Sequence, residues 1–334
     1  MRRLLHMSCW PARILLFTLL VITFSTSTNA QSAPDIAGKG GSVHPGNDSV
    51  LLTTTVLDQK GNYVVGLNNS AFTIYDNKTP QAISYFATGD EPVAIGVLID
   101  LSGSMLELGG RPQLKTAADS VFRFLRLSHS ENEYFLIGFT TRPQLLTDWI
   151  RGSDAFAGAL KKVVPGTKEG LNTALYDACF LGIEKLRNSA YRKRAMLLIS
   201  DGLDNESRYT FKELRDFIKE SDVLLYSIGI SPSDNFSGTT LGMEGYAVLN
   251  ELSSITGGVA VFPEGNKKIE AAFEQIAIEL RNQYSLGFRP AETSAERKWH
   301  KLKVKVTPPL NAPRNMTKLI VRSREGYYAT KGSR

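Results

Sequence analysis

The stretch that most constrains this chain is Val93 to Ser104, VAIGVLIDLSGS. Its first seven residues, Val93 to Ile99, are mostly apolar and rich in Val and Ile. A strand with one wet face alternates apolar and polar residues. An unbroken run is the pattern of a strand buried on both faces of a parallel sheet. Asp100, Ser102 and Ser104 follow around Gly103, at the carboxyl end of the strand, where open α/β sheets bind ligands. A carboxylate and two hydroxyls on a tight loop are all hard oxygen donors, the kind that converge on a hard cation.

The segments after this run alternate between strand and helix patterns. Further strands are expected at Glu133 to Phe139, Arg194 to Ser200, Val223 to Ile230 and Gly257 to Phe262, with an edge segment near Leu145 to Trp149. Helices are expected at about Lys115 to Leu127, Ala155 to Val163, Asn172 to Arg187, Phe211 to Glu220, Gly245 to Ile255 and Lys267 to Asn282. That order implies an α/β fold, a doubly wound and mostly parallel sheet flanked by helices. Three or four short β-prone segments precede it, such as Val50 to Leu57 and Ala71 to Asp76. Three or four more follow, such as Tyr284 to Arg289 and His300 to Thr307. Neither set is stable alone, so the two are expected to pair into a small antiparallel β-sandwich through which the α/β unit is inserted. The expected division is 1–30 signal peptide, 31–48 flexible leader, 49–90 first half of the sandwich, 91–282 α/β domain and 283–330 second half.

The N-terminus has the layout of an export signal. Arg2 and Arg3 precede an apolar core, Ile14 to Phe24, and small and polar residues lead to Ala30. Cleavage is expected after Ala30, with retention as an anchor the alternative. The core is shorter than the roughly 20 residues that span a bilayer, and no later stretch is long and apolar enough. The chain is therefore expected to be exported, periplasmic or secreted, without a transmembrane segment after cleavage. Removing Arg2, Arg3 and Arg13 takes the formal charge from +6 to +3. A charge that small gives no argument for nucleic acid, and clusters such as Arg192-Lys193-Arg194 are taken as solvated faces. Without the signal only Cys179 remains, so no internal disulfide is available; it is expected in the core.

Two more oxygen-bearing loops belong to the same rim. One is Gly170-Leu171-Asn172-Thr173, entering a helix. The other is Ser200-Asp201-Gly202, closing a strand. DLSGS, a Thr at a later helix start and Asp-Gly after a central strand together resemble the metal-ion-dependent adhesion site of von Willebrand factor A domains, over about residues 91–282. The flanking TVLDQKGNYVVGLNNSAFTIYDN and QYSLGFRP…REGYYA look like bacterial exported members of that family. The resemblance implies that Ser102, Ser104 and Thr173 offer hydroxyls to Mg²⁺, or Mn²⁺ or Ca²⁺. Asp100 and Asp201 would bind directly or through water. Rim loops near Gly103, Asn172 and Gly202 would meet a protein or peptide that offers a Glu or Asp carboxylate. Asp204, Asn205 and Glu206 are expected to be a solvated loop. Asp177 either orients the site or faces solvent.

The four histidines, His6, His44, His129 and His300, are not at metal-ligand spacing and are expected at the surface. Neither a phosphate-binding Gly-x-x-x-x-Gly-Lys-Ser/Thr loop nor a Gly-x-Ser-x-Gly elbow occurs. The resulting expectation is a non-enzymatic, exported binding or adhesion module. The alternatives are a metal-dependent hydrolase with metal-bound water as nucleophile and a purely structural ion site.

Overall fold

The computed structural model describes residues 49–106, 113–160, 172–230, 238–290, 298–309 and 312–329. The expected signal and leader, Gly170 and Leu171, and Val163 lie outside them. Among the described residues no helix is long and apolar enough to cross a membrane.

Four strands come first: β1 (Val50–Leu57), β2 (Phe72–Asp76), β3 (Thr79–Gln81) and β4 (Ile83–Thr88). The α/β unit begins with β5 (Val93–Asp100), a helical turn α1 (Gly103–Leu106), α2 (Gln113–Leu127), β6 (Glu133–Phe139) and β7 (Pro143–Arg151). It continues with α3 (Ser153–Leu160), α4 (Leu175–Arg187), β8 (Lys193–Ser200), α5 (Phe211–Glu220) and β9 (Leu224–Gly229). It ends with α6 (Thr240–Thr256), β10 (Ala260–Val261) and α7 (Asn266–Arg281). Four strands close the chain: β11 (Tyr284–Phe288), β12 (Lys298–Val306), β13 (Ile320–Arg322) and β14 (Gly326–Ala329).

The six-stranded sheet has the order β10-β9-β8-β5-β6-β7, parallel except for the antiparallel edge β7. All eight residues of β5 are buried, as its unbroken apolar run requires. Val93, Ile95, Val97 and Ile99 pack into one core with α2 and α7. Ala94 and Leu98 pack into the opposite core with α4 and α6. A Cβ on Gly96 would lie 2.4 Å from the Phe135 ring, so the neighbouring strand needs a glycine there. From β5 the chain moves to β6 on one side and later to β8 on the other. The crevice between β5 and β8 is therefore the topological switch point, where doubly wound sheets bind ligands.

The flanking strands interleave into two antiparallel sheets, β13-β1-β11-β4 and β14-β12-β2-β3. Leu52, Ile74, Leu286, Phe288, Leu302 and Val304 share one core between them. Each sheet mixes strands from before and after the α/β unit. Asn77 and Lys78, both at positive φ, make the two-residue turn from β2 into β3, the geometry favoured between right-twisted strands.

Two sequence expectations are corrected in this part of the molecule. His300 is buried, its Nδ1 is 2.9 Å from Asp76 Oδ1, and Tyr327 donates to Asp76 Oδ2 at 2.8 Å. The register of β12 against β2 and β14 creates that cluster. Of Arg192-Lys193-Arg194 only Arg192 is exposed as expected. Lys193 is buried and donates to the Leu280 carbonyl at the end of α7, and burial lowers its pKa to about 8. Arg194 pairs with Asp222. Cys179 is buried, as expected, and burial raises its thiol pKa.

Candidate metal centre

Because β5 and β8 run parallel with Ile99 opposite Ile199, their carboxyl ends bring Asp100 and Ser200 side by side. Asp100 is fully buried. Its Oδ1 accepts the Ser102 amide at 2.9 Å, which closes the loop, and its Oδ2 accepts the Ser200 hydroxyl at 2.7 Å. The Ser102 and Ser104 hydroxyls lie 3.2 Å apart, brought together because the chain turns into α1 at Gly103. The Leu101 amide ties the loop to the end of β6 through the Phe139 carbonyl.

Asp201 follows Ser200 and is buried. Its Oδ1 accepts the Leu203 amide at 3.0 Å, while its Oδ2 is buried with no hydrogen-bond partner. Gly202 makes the turn at φ +85, and a Cβ there would lie 2.4 Å from the Gly245 carbonyl oxygen. The close approach of α6 to this loop therefore depends on glycine. Burial raises both carboxyl pKa values. Asp100 is pushed up to about 7 by desolvation and then by the nearby charge of Asp201. Asp201 is raised by desolvation, against the Leu203 amide and the Ser104 hydroxyl. Among the described residues neither carboxylate has an ion-pair partner.

Thr173 is buried on the segment entering α4, where the Ala174 amide donates to the Thr140 carbonyl at 2.7 Å. Asp100, Ser102, Ser104 and Asp201 are thus brought together directly. Thr173 has no hydrogen bond to those four; it joins them through the chain that follows Asp201. Its amide donates to Asn205 Oδ1 at 2.7 Å, and its carbonyl accepts the Asn205 and Glu206 amides. The rim positions Gly103 and Gly202 are buried, whereas Asn172 is exposed and donates to Glu206 at 2.8 Å.

The expectation of a solvated loop at Asp204 to Glu206 holds for Asn205 and Glu206, which are exposed, but Asp204 is half-buried and all three are bonded to the segment entering α4. Asp204 Oδ2 accepts the Tyr176 amide at 3.0 Å and the Ser207 hydroxyl at 2.5 Å. Asp177 is buried, and its carboxylate accepts the Arg208 and Tyr209 amides and Arg208 Nε. Short polar side chains after a strand often bond to backbone. That pattern marks Asp204, Asn205 and Ser207 as bonding residues, though it does not name their partners about thirty positions away.

The donor set fits a hard divalent cation. Among the described residues no three His, Cys, Asp or Glu side chains form a cluster that could hold a metal ion. The oxygens that the described residues offer here are hydroxyls as well as carboxylates, a set that suits Mg²⁺, Mn²⁺ or Ca²⁺ rather than a soft metal. A buried carboxylate oxygen without a partner costs free energy, and a cation is the natural compensation.

The fold is thus a doubly wound α/β unit with an oxygen-lined crevice at its switch point. Residues 95–203 match the family model of the von Willebrand factor type A domain, and this part of the chain is a domain of that type. A comparison with curated proteins finds no match. Among solved structures the chain is similar to a von Willebrand factor type A protein from Catenulispora acidiphila. The identity is 11%, over 83% of this chain and 73% of that one, with a TM-score of 0.45. It is similar to an aerotolerance-related membrane protein from Bacteroides fragilis at 17% identity, over 57% and 98%, with a TM-score of 0.44. It is also similar to proximal thread matrix protein 1 of the mussel byssus with a zinc-occupied MIDAS motif. There the identity is 16%, over 61% and 50%, with a TM-score of 0.44. Likenesses this distant carry no argument for what this chain binds.

Proposed function

We propose that the protein is an exported, non-enzymatic binding module that holds a divalent cation, Mg²⁺ or else Mn²⁺ or Ca²⁺, and docks an acidic residue of a protein or peptide partner. Asp100, Ser102, Ser104, Thr173 and Asp201 would hold the ion. The observation that carries this reading is the buried, unpartnered Oδ2 of Asp201, set beside the desolvated Asp100 and the paired Ser102 and Ser104 hydroxyls. When bound, the ion supplies a Lewis-acidic centre that a carboxylate from outside can complete. The chain's own part is to present few charges and several neutral hydroxyls, which leaves the centre electrophilic. Hydrogen bonds to Ser102 and Ser200 keep Asp100 oriented.

The test is calorimetric titration of the full chain with Mg²⁺. Wild type is expected to release or take up heat saturably, and Asp100→Ala and Ser102→Ala to give none while keeping wild-type circular dichroism. Equal heats for wild type and variants would refute the reading. Capture of partners from the exported fraction, with and without EDTA, then tests the docking step; partners retained equally in both arms would refute it.

A further inference from the structure

Thr173 reaches the rim on a segment that does little to fix itself. The residue capping α4, Ala174, makes no side-chain capping bond, and helix starts need acceptors for their free amides. Those acceptors come from the stretch just after Asp201. Asp204 accepts the Tyr176 amide and the Ser207 hydroxyl accepts the Asp177 amide, each at 3.0 Å. Asp177 returns the contact by accepting the Arg208 and Tyr209 amides.

At the centre of this exchange is Asn205. Its Oδ1 accepts the Thr173 amide at 2.7 Å, and its own amide donates to the Thr173 carbonyl at 3.0 Å. The Glu206 amide donates to the same carbonyl at 3.2 Å. Both main-chain polar groups of Thr173 are therefore held by residues four and five positions beyond Asp201. Two of the three ligand-bearing loops form one hydrogen-bonded body, and the place of the Thr173 hydroxyl relative to the Asp201 carboxylate is set through Asn205.

We infer that Asn205 is a positioning residue for cation capture: it fixes Thr173 against the Asp201 loop without itself touching the ion. The inference rests on the reading of Thr173 and Asp201 as ligands. Outer partners that orient metal ligands are worth about 10- to 100-fold in affinity, so Asn205→Ala is expected to weaken Mg²⁺ binding by about that factor.

The test is calorimetric titration with Mg²⁺ of the full chain as wild type, Asn205→Ala and Asn205→Asp, with the melting temperature of each taken in EDTA. Asp keeps the acceptor for the Thr173 amide, so Asn205→Asp is expected to bind at least as tightly as wild type. Wild-type affinity in Asn205→Ala overturns the inference. So does an Asn205→Asp protein that is folded and binds as weakly as Asn205→Ala is expected to, a comparison that stands even if the Ala variant does not fold. A loss of affinity in Asn205→Ala matched by a collapse of its melting temperature in EDTA, with no rescue by Asp, marks a merely structural role and also overturns it. A wild-type protein that takes up no Mg²⁺ overturns the ligand reading itself, which is a different result from wild-type binding that Asn205→Ala leaves unchanged.

Discussion

The Ser200 hydroxyl donates to Asp100 Oδ2 at 2.7 Å across the neighbouring strands β8 and β5, and both residues are fully buried. The same hydroxyl oxygen accepts the Gly202 amide at 3.0 Å. One side chain thus couples the first carboxylate of the site to the turn that carries the second. Without it, a carboxylate closing a wholly buried strand would lose one of its two bonded donors.

Replacing Ser200 by Ala is therefore expected to destabilise the protein by about 1–3 kcal/mol, the cost of leaving a buried acceptor unsatisfied. It should also weaken Mg²⁺ uptake. Urea unfolding checks the first effect, as a lower midpoint at unchanged slope.

The raised pKa of Asp100 gives a sign for pH dependence in metal-free protein. Its ordinary carboxyl value is 3.8 and its folded value is about 7, so between those pH values the folded state binds more protons than the unfolded one. Stability then falls as pH rises through that window. Asp201, raised in the same direction, adds to the slope. A cation reverses the trend by favouring the ionised form, so stabilisation by Mg²⁺ should grow from pH 5 to pH 7.5. Melting temperatures in EDTA and in Mg²⁺ across that range check this. Asp100→Asn should flatten the EDTA curve, and a slope unchanged in that variant would reject the assignment.

Gly202 allows a backbone test. At φ +85, with the Gly245 carbonyl oxygen 2.4 Å from where a Cβ would stand, Gly202→Ala meets both a strained dihedral and a backbone clash. The expected cost is about 1–3 kcal/mol. Mg²⁺ uptake should suffer as well, because the Asp201 turn must move away from α6. Thermal unfolding and Mg²⁺ titration of the same preparation separate the two effects.

Where local pattern decides structure, the sequence was sufficient. The apolar run of β5 and its oxygen-bearing loop are where their pattern places them, and Phe211 to Glu220 is a helix whose Thr210 and Glu213 form a capping box. The misses have physical causes. α6 begins at Thr240, five residues before the expected start, because Thr239 caps a stretch whose Gly242 and Gly245 argue against helix. The expected strand Gly257 to Phe262 shrinks to Ala260–Val261: Gly257 ends α6 in the left-handed region, and Gly258 passes so near the Leu225 carbonyl that a Cβ would lie 2.0 Å from it. The burial of His300 and Lys193, and the bonding of Asp204 and Asn205 to the start of α4, depend on partners far away in sequence. No local periodicity encodes them.

The last prediction concerns Glu279, fully buried on α7. Its Oε1 accepts Thr55 Oγ1 at 3.1 Å and Tyr226 OH at 2.9 Å; its Oε2 accepts Tyr63 OH at 3.3 Å and is paired with Arg322. Thr55 and Arg322 belong to sandwich strands β1 and β13, and Tyr226 belongs to β9 of the α/β sheet. One carboxylate therefore joins both halves of the fold. Breaking a buried ion pair by removing one partner costs about 3–5 kcal/mol, and Arg322, which keeps some access to water, places the expected loss for Glu279→Ala toward the lower end. Trp149 stands on β7 and Trp299 on β12, so tryptophan fluorescence reports on both halves while circular dichroism is dominated by the helices of one. In wild type the two signals should trace a single unfolding transition. In Glu279→Ala they should separate, the sandwich losing its structure first. Coincident transitions in the variant would show that the apolar contacts between the halves, rather than this carboxylate, make them unfold together.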